Sequence, residues 1–376
     1  MTHRNTNRRR FLQGLGVTGA VAIAGCIGGE TNGNGNGNGN GTGNGGDEGG
    51  STSDAVESLP DAKAVDVDHI AADPTDVPGP VDWDEPRTHD LTIQCIEATA
   101  EVEPGVTFDY MTYEGQIPGP MYRVRQGDTI DLTFEVPDEY NIDMHNIDFH
   151  AVYGPGGGAE ATTIAPGDEP ARLRFQTKYP GVHIYHCAVP NMDHHISAGM
   201  FGAILVEPED GLPEVDREFY FGQHELYTNG QPGEEGHHSW DTQSSRDEDP
   251  TYVLLNGEAY GFTPNGAHGP VTAEVGETVR VYQAVGGPNL TTAWHPIGNV
   301  WSNLYRDGDL LSDPARYVET TPVAPGTVAV GEMELHVPGP VKIVDHALSR
   351  VVHKGALAVI DVQGEPNTEI YDDNPE

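Results

Sequence analysis

The sequence predicts an all-β protein built from two tandem β-domains, and two observations carry that prediction. From about Thr88 onward there is no long apolar stripe of helical period. Short alternating runs bounded by Gly, Pro and Asp take its place, the pattern of a sandwich or barrel. Thr129-Ile130-Asp131-Leu132-Thr133-Phe134-Glu135-Val136 is the clearest half-buried strand. The second observation is an internal repeat. Gly127-Asp128-Thr129-Ile130-Asp131-Leu132 returns as Gly276-Glu277-Thr278-Val279-Arg280-Val281, and Tyr179-Pro180-Gly181 leading to His186 returns as Val337-Pro338-Gly339 leading to His346. Each copy closes on an apolar strand, Phe201–Val206 and Ala356–Val362. The repeat places the domains at 88–210 and 211–364, leaves 365–376 as a tail, and aligns His346 with His186.

Taken in order, the chain opens on an address. Arg8-Arg9-Arg10-Phe11-Leu12 fits the twin-arginine pattern RRxFL, and a mostly apolar run from Leu15 to Ile23 follows. That run is far short of the ~20 residues a membrane span needs, so residues 1–25 read as a twin-arginine signal peptide. Ile23-Ala24-Gly25-Cys26 resembles a lipobox, with Cys26 as the lipidated first residue of the mature chain; the alternative is an ordinary cleavage site. Residues 28–50 are almost all Gly and Asn, which cannot bury a core, so 26–87 is expected to be a flexible tether and N-terminal arm. These features place the protein at the outer face of the cytoplasmic membrane, lipid-anchored, or secreted. Membrane contact is expected only through the lipid anchor.

The 376 residues carry a formal net charge of −40, and beyond the first 25 residues 15 basic face 59 acidic side chains. Such a surface repels nucleic acid and anionic lipid. It resembles the acidic surfaces of proteins from extreme halophiles, where molar salt shortens the screening length to about 3 Å. The cysteine usage implies no disulfide framework. Cys26 is the anchor, Cys95 reads as a buried core thiol in the alternating stretch Leu91-Thr92-Ile93-Gln94-Cys95, and Cys187 remains for chemistry.

That chemistry is concentrated in Tyr179–Met200, YPGVHIYHCAVPNMDHHISAGM. A thiolate, an imidazole and a thioether on one loop (Cys187, His195, Met200) suit copper, whose blue sites take two His and one Cys with a weak axial Met. One more His must come from elsewhere, and His145 in His145-Asn146-Ile147-Asp148-Phe149-His150 is the natural candidate. Neighbours on an extended strand point to opposite faces, so His186 faces a second site when Cys187 faces the first. His150, His186 and His346 would give that second site three imidazoles and an open position, the arrangement a metal needs to activate a small substrate. Asp148 can stand beside it as a proton donor. The second repeat has no Cys and cannot hold a thiolate-type copper.

The set of HNIDFH, YHCAVP with His and Met downstream, the isolated His295 in Trp294-His295-Pro296-Ile297-Gly298, and Asp345-His346 resembles copper-containing nitrite reductase, here of a haloarchaeal kind, across about 88–362. The resemblance implies two cupredoxin-like Greek-key β-barrels, a homotrimer, and two coppers per subunit. It implies His145, Cys187, His195 and Met200 as type 1 copper ligands. It implies type 2 copper on His150 and His186 of one subunit with His346 of its neighbour. Asp148 and His295 match the family's acid/base residues, Ile297 its pocket-shaping apolar residue, and Glu319 and Thr320 a pair orienting His295. Nitrite would be the substrate, reduced to nitric oxide in denitrification with electrons from a small blue-copper or other donor protein.

Several positions depart from that pattern. The loop from Cys187 is one residue short, and His194 stands where the family has Trp, making it a rival to His195. The gap to Met200 favours His195. Asp345 replaces the commoner Asn and adds a charge near the neighbouring subunit's copper, while His183, His194, His237 and His238 match no motif and read as surface or packing residues. Two other functions compete with this reading. A laccase-like two-domain multicopper oxidase needs paired HxH motifs and a His-Cys-His, but Ala188 follows Cys187 and no HxH lies near the predicted site. A type 1 copper electron carrier leaves Asp148, His150, His295 and His346 without a purpose.

Overall fold

Period-two alternation becomes structure directly in Thr129–Glu135, where Ile130, Leu132 and Phe134 are buried and the residues between them half-buried. The computed structural model describes residues 58–375; the expected signal peptide, the lipobox with Cys26 and the Gly/Asn-rich run lie outside the described residues. Eight strands come first: β1 (Thr88–Glu103), β2 (Val106–Tyr113), β3 (Tyr122–Arg125), β4 (Thr129–Glu135), β5 (Asp148–Phe149), β6 (Ala171–Gln176), β7 (Gly181–His186) and β8 (Phe201–Glu207). Then come β9 (Arg217–Leu226), β10 (Gly236–His237), β11 (Tyr252–Leu255), β12 (Val271–Glu274), β13 (Thr278–Gly287) and β14 (Thr292–Ile297). The last six are β15 (Trp301–Tyr305), β16 (Ala315–Val318), β17 (Thr321–Val323), β18 (Thr327–Glu334), β19 (Gly339–Asp345) and β20 (Leu357–Gln363).

The strands form four sheets, ordered β10-β2-β1-β4-β6, β3-β8-β7-β5, β11-β9-β13-β18-β15-β16 and β12-β20-β19-β14-β17. The second pair of sheets repeats the first. β1 runs parallel to β4 as β9 does to β13, and β3 parallel to β8 as β12 does to β20. The fold is the mostly-β, cupredoxin-like architecture, with few and short helices.

Register makes the repeat quantitative. The β7–β8 hairpin pairs Gly181 with Val206 and ends at His186 with Phe201; the β19–β20 hairpin pairs Gly339 with Val362 and reaches Val344 with Leu357. His186 therefore corresponds to Val344, Cys187 to Asp345 and Ala188 to His346. This corrects the alignment of His346 with His186. His346 lies two residues further along, past the end of its strand, because Gly339 to His346 is a longer step than Gly181 to His186. On the neighbouring strand Asp148 pairs with His186 and His295 with Val344, so Asp148 and His295 occupy equivalent places.

Residues 59–87 form no strand among the described residues but are laid against the fold. Ile70 is fully buried, the Ile117 amide donates to its carbonyl (2.9 Å), and the Asn256 side chain donates to Ala72 O (2.9 Å). The arm thus touches both repeats. A buried ionic seam also joins them: Arg123 on β3 pairs with Glu207 and Glu218, and Arg280 on β13 with Glu218 and Glu332. Burying two guanidiniums among three carboxylates is favourable only when all are paired, and removing one partner of such a pair typically costs about 3–5 kcal/mol.

Candidate metal centres

β7 ends at His186, and the chain turns through Cys187 into the short helix Met192–Ser197 before entering β8. Backbone bonds close this loop on itself: the Cys187 amide donates to Met200 O (3.1 Å), and the Met200 amide to His195 O (3.0 Å). Cys187 Sγ lies 3.7 Å from His195 Nδ1, and one donor atom each of His145, Cys187 and His195 falls within 4.8 Å of the others. All three residues are buried, and so is Met200. His194, the rival of His195, is outside this cluster; its ring faces Trp240 with centroids 4.6 Å apart.

The first cluster fits a metal on its own chemistry. His145 Nε2 donates to Glu97 Oε1 (3.0 Å), which leaves Nδ1 with the lone pair, buried and without a hydrogen-bond partner. Burial, with His145 and His194 alongside, pulls His195 down to about 4, so its ring is neutral. Burial pushes the Cys187 thiol up although the amides of Val189, Asn146 and Ala188 point hydrogen bonds at the sulfur. A cation held beside this cradle would favour the thiolate. Two imidazole nitrogens, a thiolate and a nearby thioether are a copper donor set.

Behind it, His186 turns the other way. Its Nδ1 bonds Cys187 O (3.0 Å), and its Nε2 lies 3.1 Å from His150 Nε2. Burial and the neighbouring His186 imidazole draw His150 below the ordinary histidine range, which favours a ring with a lone pair to offer. Asp148 is brought beside this pair by its register with His186. Its carboxylate occupies space that only a glycine at 157 leaves open, since a Cβ there would fall 1.7 Å from Asp148 Oδ1. Among the described residues, no third His, Cys, Asp or Glu of the chain completes a cluster with His150 and His186. His346 instead is solvent-exposed and packs edge-on to His295, with centroids 5.3 Å apart.

His295 is aimed by backbone. Its Nδ1 donates to Glu319 O (2.5 Å), with Thr320 Oγ1 at 3.4 Å, so Nε2 remains free. The expected pair is therefore present, but the Glu319 contact is made by its carbonyl rather than its carboxylate. Ile297, two residues on, is half-buried. The second repeat holds Asp345 where the first holds Cys187. Asp345 Oδ1 accepts from the amides of Ala293 and Ala347 (both 3.0 Å), the equivalents of Asn146 and Val189, and Oδ2 from Arg350 Nη1 (2.6 Å). This corrects the expectation of an added charge toward a neighbour: Asp345 is buried and its charge is met within its own chain.

Two functional residues escaped sequence reasoning. Glu97 on β1 holds His145 and also accepts from the amides of Ile142 and Asp143; burial opposes its ionisation, but these bonds prevail and hold its carboxyl below the usual range. Asn146 ties the two ligand loops by accepting from the Ala188 amide at 2.7 Å. Its place between His145 and Asp148 was the available signal. Of the histidines that match no motif, His237 bonds Thr107, His238 bonds Thr228 and Glu234 O, and His183 bonds Tyr179 O, as packing residues do. Cys95 is buried on β1.

Residues 94–211 match the multicopper oxidase family. The chain is 40% identical to the copper-containing nitrite reductase of Neisseria meningitidis serogroup B over 304 residues, covering 81% of this chain and 76% of that protein. It is 31% identical to the protein of the same name from Cereibacter sphaeroides, covering 76% and 79%. Among solved structures, copper nitrite reductase from Nitrosomonas europaea superposes with a TM-score of 0.66 at 30% identity, covering 75% of this chain and 96% of that one.

Proposed function

The chain belongs to the copper-containing nitrite reductase family, and from that premise we propose how its residues divide the reduction of nitrite to nitric oxide. The reaction takes one nitrite, one electron and two protons to nitric oxide and water. Copper supplies one-electron storage at the Cys-containing set and Lewis-acid activation of nitrite at the three-imidazole set. His145, Cys187, His195 and Met200 would hold the first ion; His150 and His186, with His346 of the partner subunit, would hold the second.

One observation carries this reading: the adjacent residues His186 and Cys187 belong to two different donor clusters. Their peptide link, and the His186 Nδ1 to Cys187 O bond, give an electron a short covalent path between the two. Asp148 donates a hydrogen bond and then a proton to a nitrite oxygen. His295, its Nδ1–H spent on Glu319 O, takes a proton at Nε2 and passes it on. Ile297 limits the space beside them. The exposure of His346, and its place outside the donor clusters of the described residues, support a site shared between subunits and a head-to-tail homotrimer.

The wider setting belongs to the same proposal. The twin-arginine address and Cys26 support export and lipid anchoring at the outer membrane face, and the acidic composition supports work in high salt. There a small acidic blue-copper donor can approach despite like charge, because molar salt screens the repulsion. The protein would serve denitrification.

The test is nitric oxide release from nitrite, followed by electrode with copper-loaded protein in high salt and a chemical reductant. Release that disappears in His346→Ala supports both the reaction and the shared site. Silence with nitrite beside an intact type 1 absorption band would point to an electron carrier.

A further inference from the structure

Far from the His–Cys loop in sequence, a second cluster of donors gathers that the proposed reaction does not use. One donor atom each of His69, Glu258 and His268 lies within 4.8 Å of the others. His268 Nε2 is 2.9 Å from Glu258 Oε2, and His69 Nδ1 is 3.4 Å from Glu258 Oε1. The two imidazoles meet edge-on with centroids 4.7 Å apart. Glu258 is 7% exposed, whereas both histidines reach solvent.

An ion pair between His268 and Glu258 explains only part of this. Glu258 Oε1 is buried and has no hydrogen-bond partner, and a carboxylate oxygen left so is costly. Each donor is also held by its own support. His69 precedes Ile70, which anchors the arm under Ile117 and Gly257. Glu258 follows a tight turn in which Asn256 and Gly257 both take positive φ (54° and 82°). His268 is closed onto its loop by its amide bond to Gly261 O (3.0 Å), and its ring stacks on Phe262 with centroids 4.8 Å apart. Preorganised donors around a buried carboxylate oxygen that makes no hydrogen bond are what an ion requires, and a mere surface pair does not need them.

We propose that His69, Glu258 and His268 form a third metal site, which holds a zinc-class divalent cation and clips the N-terminal arm onto the second repeat. Two imidazoles and a carboxylate are borderline donors that select ions such as Zn²⁺ or Cu²⁺ over Ca²⁺ and Mg²⁺. Three protein ligands leave a position open to solvent on the side where both histidines are exposed. Because the donors come from the arm and from a loop after β11, the ion closes a very long stretch of chain, and its role is mechanical rather than catalytic. The site stands independently of the nitrite reading.

The experiment dialyses copper-replete protein against buffered Zn²⁺, then counts zinc and copper per chain and follows thermal unfolding. The parent should take up one zinc per chain with its copper count unchanged and melt at a higher temperature than without zinc. His69→Ala and His268→Ala should each bind zinc roughly 100-fold more weakly, since even losing a supporting contact to a ligand costs 10–100-fold, and zinc should not shift their melting. An intact type 1 absorption band reports that each variant is folded. His336→Ala, at an exposed His–Glu pair, should behave as the parent. A third copper that displaces the zinc and is lost in His69→Ala also supports the site. Zinc uptake equal in parent and His69→Ala, or no uptake by the parent, overturns it.

Discussion

In the first repeat the loop after β7 and the segment before β5 offer amides to the Cys187 thiol; in the second, the loop after β19 and strand β14 offer the equivalent amides to the Asp345 carboxylate. Both cradles are arranged to stabilise negative charge beside a strand pair of the same register. They differ in how the charge is completed. Arg350 closes the second cradle with a guanidinium from its own chain, so that cradle is finished on folding. The first has no such cation and instead has His145 and His195 with lone pairs turned inward. One backbone frame thus yields a structural knot in one repeat and a candidate metal centre in the other, and three or four side chains decide which.

The comparison can be broken or sharpened by exchange. The largest effect belongs to Cys187→Ala, which should abolish type 1 absorption and electron delivery from a protein donor; full turnover with such a donor would sink the relay. Next come the two residues in equivalent places, Asp148 and His295. Asp148→Asn should lower turnover about a hundredfold or more while the colour stays, and His295→Asn should do likewise, since positioned acids contribute roughly 10²–10⁴-fold. Unchanged turnover in either would remove that residue from the proton path. In the second cradle the loss is stability rather than activity. Asp345→Ala should cost about 3 kcal/mol in denaturant unfolding, because it takes the carboxylate from Arg350 and leaves two amides unmet. The smallest effect is expected at Thr292, the counterpart of His145, whose buried Oγ1 has no partner. Thr292→Val should stay within about 1 kcal/mol of the parent, and a larger loss would reveal a bond at that hydroxyl.

Much of the site was legible because its donors share one loop and one short strand. Cys187, His195 and Met200 are fixed by local spacing, and the alternation in HNIDFH divides His145 from His150. Glu97 was not legible: it comes from β1, and only the folded sheets bring it to His145. The hold on His295 was half legible, because Glu319 acts through a carbonyl that every residue possesses. Asp345 misled because a charge read from sequence carries no direction, and Arg350 five residues on turns it inward. The alignment of His346 with His186 failed on phase, since two extra residues carry the histidine beyond its strand. Neither the docking of residues 59–87 nor the Arg123–Arg280 seam has a local pattern to announce it.

The exposed placement of His346, away from His150 and His186, has a consequence in the language of genetics. A chain that carries two half-sites facing different neighbours is separable by mutation. His150→Ala and His346→Ala, each inactive alone, should restore one another when unfolded and reassembled together, because some interfaces then join an intact His150–His186 pair to an intact His346. Random assembly of equal amounts leaves about one interface in four whole. Recovery near a quarter of parental activity would count the subunits that share a site, and no recovery would mean that each chain works alone.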